Sequence, residues 1–142
     1  MNIFTLQTHK LVWISILPIL LISSLGKNTI FDIQYHDTYF VFPLLHLGML
    51  FSIVLGIMGL IYWWISDRPV INWMKLVHLG VTIGFMFTFL ITNLVRSKLY
   101  DLGFVSLQDD NLTFAIFILI FVGCQLLLLV NIFIGLVGSK KT

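Results

Sequence analysis

Three histidines lie in or beside long apolar stretches of the chain. His46 and His78 each stand inside such a run, and His36 precedes Asp37 just before the run that holds His46. Ionisable side chains within hydrocarbon usually mark functional positions, so His46 is a candidate site residue. The imidazole of His36 and the carboxylate of Asp37 are donors that can bind a divalent cation, but two donors do not close a metal site. For this pair we favour capping and loop hydrogen bonding over metal binding.

The composition indicates an integral membrane protein. Of 142 residues, 59% are hydrophobic and only 10% are charged, which excludes a disordered chain and an ordinary soluble domain. The net charge of +2 is too small to suggest nucleic-acid binding. Apolar segments at about 10–26, 38–65, 72–95 and 112–138 are candidates to cross a bilayer.

Segments of this length without strand alternation predict helices, because a helix satisfies its own backbone hydrogen bonds in lipid. The predicted fold class is therefore all-α, with a single four-helix transmembrane bundle over residues 1–142. The first segment also has features of a secretory signal, and we interpret it as a retained transmembrane helix. Asp37 and Thr38 are expected to cap the second helix, and Asn72 the third. Cys124, the only cysteine, is interpreted as a small buried hydrophobe.

Charge counting orients the bundle. One side carries five basic residues and one acid, whereas the other carries three basic residues and five acids. The positive-inside rule then places both termini and the loop at 66–71 in the cytoplasm. All four tryptophans fall near the predicted inner boundary, as in an interfacial aromatic belt. We expect a multi-pass protein of the cell's inner, cytoplasmic membrane, in preference to the mitochondrial inner membrane.

One block of the sequence resembles a known family. Asp32-Ile33, followed by His36-Asp37-Thr38-Tyr39-Phe40-Val41 and then His46, is similar to the central motif of heme–copper oxidase subunit I. In that family the block is followed by two histidines separated by one residue, which bind the high-spin and the low-spin heme iron in that order. His46 matches the later histidine, Leu44 replaces the earlier one, and Pro43 stands where a small residue is usual. By helix order, the resemblance covers only the last four helices of that larger subunit.

The resemblance implies roles for these residues. Residues matching His36 and Asp37 lie near the heme propionates and a non-redox metal at the outer surface. A low-spin heme at His46 would need a second axial ligand, which in the family comes from a helix that this chain lacks. His78 is a poor substitute, because we place it about 10 Å from His46 along the membrane normal. Leucine cannot coordinate iron, so the oxygen-reducing site is not expected at Leu44.

Small residues form one stripe on each central helix, at spacings of four. The stripes are Gly48, Ser52 and Gly56 on the second helix, and Gly80, Gly84, Thr88 and Thr92 on the third. Membrane helices associate through such close contacts, so we favour mutual packing of these two helices. The alternative is that one stripe receives a helix from another subunit. His46 and His78 lie about 200° from the stripe on their helix, so stripes that face inward would turn both histidines outward.

Three polar residues within the predicted spans then argue for other subunits. His46 is predicted to lie about 12 Å below the outer helix end, too deep to face lipid, and the amides of Gln125 and Asn131 need partners. The leading hypothesis is a non-catalytic, oxidase-derived subunit without a cofactor, which docks against and supports other transmembrane subunits within membrane lipid. The alternative is a heme-binding electron-transfer subunit that uses His46 with a ligand from another chain. A transporter or proton path is disfavoured because no acidic residue lies within a span.

Overall fold

Four long helices form an antiparallel bundle in the computed structural model, which describes residues 8–35, 37–66, 68, 70–103 and 111–137. The helices are α1 (Thr8–Leu25), α2 (Leu44–Trp64), α3 (Asn72–Asp101) and α4 (Asn111–Val137). Each contains a stretch that is long and apolar enough to cross a membrane. The predicted all-α, four-helix class is thereby confirmed, and the chain is a multi-pass membrane protein.

A β-hairpin joins α1 to α2. Its strands are β1 (Ile30–Tyr35) and β2 (Thr38–Pro43), which pair antiparallel. At its root, the Leu44 N–H donates a hydrogen bond of 2.9 Å to the carbonyl of Thr29. The hairpin therefore continues directly into α2, and a hydrogen-bonded turn at residues 26–29 connects it to α1.

This hairpin corrects the predicted start of the second helix. Hydropathy predicts that this helix begins at about residue 38, capped by Asp37 and Thr38, whereas α2 begins at Leu44. The reason is Pro43, since the residue before a proline is disfavoured in helical conformation and the helix does not extend back through it. The aromatic and β-branched residues on both sides of a two-residue turn were a strand signal that hydropathy alone concealed.

α1 and α2 pack along a seam of small residues. Gly48 leaves no room for a Cβ atom, because the Ser23 side chain of α1 occupies that space, and the Trp13 indole lies against Gly59 in the same way. Glycine at these points lets the two backbones approach closely, which is how membrane helices associate. Four fully buried apolar side chains complete these two helix faces: Val12, Ile19, Leu44 and Leu55.

Only one residue of the predicted α2 stripe lies in that seam. Gly48 does, whereas Ser52 is half-buried and donates a hydrogen bond of 2.8 Å to the Gly48 carbonyl, and nothing lies within 4 Å of a Cβ added at Gly56. A spacing of four drifts around the helix by about 40° per step. Gly59, eleven residues after Gly48, returns to within about 20° of it and so remains in the contact.

α3 buries one face and leaves the opposite face open. The buried face repeats every four residues: His78, Thr82, Met86 and Leu90. The predicted stripe is offset from it by two residues, about 200°, and all its members are exposed: Gly80, Gly84, Thr88 and Thr92. We call this stripe the open α3 face. Because nothing lies within 4 Å of a Cβ added at Gly80 or Gly84, the predicted packing of the two stripes against each other is wrong.

α3 is also longer than predicted, since it continues past residue 95 to Asp101. Gly103 then adopts a φ of 75°, and its N–H donates a hydrogen bond of 2.9 Å to the carbonyl of Tyr100. Glycine in this left-handed conformation commonly ends a helix. Gly26, in the turn after α1, lies against the side chains of Leu44 and Leu94. The turns of α3 that follow Leu94 therefore extend beyond the end of α1 and the start of α2.

The four tryptophans lie toward one end of the bundle. Trp63 and Trp64 end α2, Trp73 begins α3, and Trp13 packs against Gly59 near the end of α2. All four side chains are exposed, by 41 to 63%. This is the arrangement of an interfacial aromatic belt, while the assignment of that end to the cytoplasm stays a prediction.

Candidate functional site

A cluster of polar side chains joins three helices within the spanning region. Tyr62 of α2 lies against His78 of α3, with 2.8 Å between the tyrosine Oη and the histidine Nδ1. The histidine Nε2 is 3.0 Å from Oε1 of Gln125 on α4 and 3.4 Å from the Thr82 hydroxyl. We call these four residues the polar cluster. His78 and Thr82 are fully buried, and Tyr62 is only 2% exposed.

The hydrogen bonds of Gln125 fix the tautomer of His78. The Gln125 Nε2 donates to the carbonyl of Phe121 at 3.3 Å and to the Thr82 hydroxyl at 3.2 Å. Since a carbonyl only accepts, the amide nitrogen must face Phe121, and Oε1 therefore faces His78. The His78 Nε2–H donates to that oxygen, and Nδ1 accepts from the Tyr62 hydroxyl. Both ring nitrogens are engaged, so His78 offers no lone pair to a metal ion or heme iron.

The chemistry that this arrangement supports is helix association. A polar group in hydrocarbon is costly unless it is paired, and interhelical hydrogen bonds in membranes contribute about 0.6 to 1.7 kcal/mol each. Every buried side-chain nitrogen and oxygen among the described residues has a hydrogen-bond partner. The polar cluster therefore stabilises the contacts among α2, α3 and α4 rather than presenting a reactive group.

A second amide connects α4 to the chain that enters α3. The Ile71 N–H donates to Oδ1 of Asn131 at 2.9 Å, and the Asn131 Nδ2 donates to the Ile71 carbonyl at 3.2 Å. Ile71 is the N-cap of α3 and makes no side-chain cap of its own, so the predicted cap at Asn72 is wrong. The first N–H groups of a helix lack helical partners, and here a buried side chain of another helix supplies one.

Two expectations about polar residues are corrected by these contacts. Gln125 and Asn131 were expected to require partners from other subunits, but both amides are satisfied within the chain. His78 was expected to face outward, but it is fully buried. His78 and Gly80 do lie on opposite sides of α3, as predicted. The prediction was wrong in turning Gly80, rather than His78, toward the interior of the bundle.

His46 lies at the other end of the bundle and is exposed. It is the third residue of α2, so it stands about 3 Å from the helix start rather than the expected 12 Å. Tyr62, which contacts His78, lies sixteen residues further along α2, so about 24 Å separates the two histidines instead of 10 Å. The exposed imidazole therefore lies near one end of the span, and its depth no longer requires another subunit.

The described residues do not form a heme site around His46. His78, the other histidine considered, is far away and has both nitrogens engaged. Leu44, at the position of the family's high-spin ligand, is fully buried, and its side chain fills the space beside Gly26. Heme binding at His46 with a ligand from another chain stays a prediction.

The metal site considered at His36 and Asp37 stays a prediction as well. His36 lies outside the described residues, and Asp37 is exposed in the turn between the strands. Among the residues that the structure describes, no three His, Cys, Asp or Glu side chains are grouped so as to hold a metal ion.

Tyr62 and Thr82 are not among the site residues predicted from the sequence. A usable signal existed, because Tyr62 lies two residues before the end of α2 and His78 lies six residues after the start of α3, which puts them within about 6 Å of each other along the bundle axis. Thr82 follows His78 by one helical turn.

No protein-family model, curated protein or solved structure matches this chain.

Proposed function

We propose that this chain is a non-catalytic membrane subunit, derived from a heme–copper oxidase subunit I, that docks a helix of another transmembrane subunit. The observation that carries the docking function is the open α3 face, a run of exposed small residues on which no described residue lies within 4 Å of a Cβ added at Gly80 or Gly84. The oxidase origin is supported by the block His36-Asp37-Thr38-Tyr39, and the lack of catalysis by Leu44 at the position of an iron ligand.

The α1–α2 seam shows what such a face can do. Close approach there is achieved because glycine leaves space that Ser23 and Trp13 fill. Gly80 and Gly84 leave the same kind of space unfilled, at the centre of a face flanked by Val77 and Ile91, which are 44 and 45% exposed. Van der Waals packing drives helix association in lipid, so a partner helix gains most at a site of this shape.

The hydroxyl groups of the open α3 face favour a helix over lipid as its neighbour. Ser52 and Ser15 each donate a hydrogen bond to the carbonyl four residues earlier. Thr88 and Thr92 make no hydrogen bond to any described residue. A hydroxyl in hydrocarbon is costly while unpaired, and a carbonyl on an adjacent helix would accept from it.

The test compares two leucine substitutions in the tagged full-length chain, purified from its native membranes in mild detergent. Gly84→Leu fills the open α3 face, while Gly123→Leu on α4 is the matched control, since that glycine is also exposed with open space around it. We expect Gly84→Leu to weaken association with co-purifying membrane subunits by about 1–3 kcal/mol, the usual cost of overpacking, and Gly123→Leu to leave it unchanged. Circular dichroism should show both variants folded.

Three results would contradict this proposal. The first is a wild-type chain that purifies as a stable monomer, and the second is an equal loss of partners by the two variants. The third is a Soret absorption band in the purified complex that His46→Ala abolishes, which would instead favour the heme-binding electron-transfer subunit.

A further inference from the structure

The hairpin of β1 and β2 carries an aromatic face that begins on the bundle and continues outward. The register places Phe31 opposite Phe42, so these side chains share one face, and Phe40 belongs to it because it lies two residues before Phe42. Phe31 packs edge-on against Phe89 of α3, with ring centroids 4.9 Å apart and an interplanar angle of 78°. Phe40 and Phe42 are 48 and 39% exposed.

The contact with Phe89 sets the depth of this face. Arg96 and Lys98 lie seven and nine residues further along α3, so about 10 and 13 Å closer to the end of the helix. Long basic side chains near a membrane boundary extend toward the headgroups, which places Phe89 on the hydrocarbon side of that layer. The Phe31 end of the aromatic face therefore reaches the edge of the hydrocarbon rather than lying out in water.

Neither water nor the membrane core suits this element. A two-stranded hairpin with exposed apolar side chains is at best marginally stable in water. The outer edges of any two-stranded hairpin carry backbone groups that the partner strand does not pair, and the hydrocarbon core does not satisfy such groups. The interfacial layer meets both needs, because apolar side chains enter the acyl region there while the edges reach water and headgroups.

We infer that the hairpin lies in the membrane interface, with the face of Phe40 and Phe42 inserted into lipid. Direct attachment to α1 and α2 holds it at this depth, since the Leu44 N–H is bonded to the Thr29 carbonyl at its root. This inference is independent of the docking function of the open α3 face.

Nitroxide accessibility in lipid nanodiscs tests the inference. Single cysteines for spin labelling are introduced at Phe40, Phe42 and Val41 in the full-length Cys124→Ala chain, with circular dichroism as a check on folding. Val41 is 56% exposed and lies on the opposite strand face, so it is the matched control. Leu17→Cys, exposed by 67% in the middle of α1, gives the lipid reference, and Lys98→Cys gives the headgroup reference.

The readout is the ratio of collision with oxygen, which concentrates in acyl chains, to collision with a water-soluble nickel chelate. We expect this ratio at Phe40 and Phe42 to approach the Leu17 value, and to fall at Val41 toward the Lys98 value. Ratios at all three strand positions equal to that at Lys98 would overturn the inference. So would labels at Phe40 and Phe42 that are shielded from both reagents, because protein would then cover the face.

Discussion

The two central helices place the same pair of residue types in opposite ways. On α2, His46 precedes Gly48 by two residues, and on α3, His78 precedes Gly80 by two residues, so within each pair the side chains point about 200° apart. In α2 the glycine is buried and the histidine is exposed, whereas in α3 the histidine is buried and the glycine is exposed.

Depth explains the difference. His46 is the third residue of its helix and reaches the boundary layer, so nothing opposes an inward-facing Gly48. His78 lies further inside its helix, where exposure to lipid would cost more than the loss of a glycine contact. Tyr62 and Gln125 satisfy both of its ring nitrogens, and Gly80 is consequently turned outward.

The largest expected effect comes from the glycines of this comparison. Gly48→Leu should lower the free energy of unfolding by about 3 kcal/mol, because the side chain of Ser23 occupies the space that the new side chain needs. Gly80→Leu, with open space around it, should change that free energy by less than about 0.5 kcal/mol. Denaturation by SDS in bicelles, followed by circular dichroism, measures both. Equal destabilisation by the two substitutions would show that both glycines are packed to the same extent, which contradicts this comparison.

The histidines give the second-largest effect, and for them the sensitive residue lies on α3 rather than on α2. His78→Leu should lower the free energy of unfolding by about 2 kcal/mol, because the Tyr62 hydroxyl and the Gln125 amide oxygen lose their partner in a buried place. His46→Leu should leave it within about 0.5 kcal/mol of the wild type. The same denaturation assay applies, and a larger loss for His46→Leu would refute the assignment of His78 as the buried histidine.

The smallest effect concerns a single hydrogen bond of the polar cluster, the one between Tyr62 and His78. Tyr62→Phe removes one donor to His78 and should cost about 1 kcal/mol. Nitrogen NMR of labelled histidine should show Nε2 protonated in both proteins, with the Nδ1 resonance shifted in the variant because its hydrogen bond is lost. A wild-type spectrum with the proton on Nδ1 would mean that the tyrosine accepts rather than donates.

Much of the helical architecture was predictable from residue patterns. Apolar length alone located four helices, and α1 and α4 begin and end within two residues of the predicted positions. The start of α2 was missed because hydropathy cannot separate an apolar strand from an apolar helix, although Pro43 marked the boundary. The end of α3 was missed because hydropathy falls at its charged last turns, while the stop signal is Gly103.

The candidate site was less predictable. The amides of Gln125 and Asn131 were identified as groups that need partners, but those partners were expected from other subunits and instead come from other parts of this chain. Asn131 is bonded to the backbone of Ile71, sixty positions earlier in the chain, and no sequence pattern encodes that pairing.

The sequence by itself determined four helices apolar enough to span a membrane, the angles between side chains within each helix, and some of the polar groups that must be paired, namely the amides of Gln125 and Asn131. Only the tertiary structure decided which side of each helix faces inward. The physical reason is that residue spacing fixes angles on one helix, whereas inward or outward placement depends on the depth of each polar group and on which neighbouring helices can pair with it.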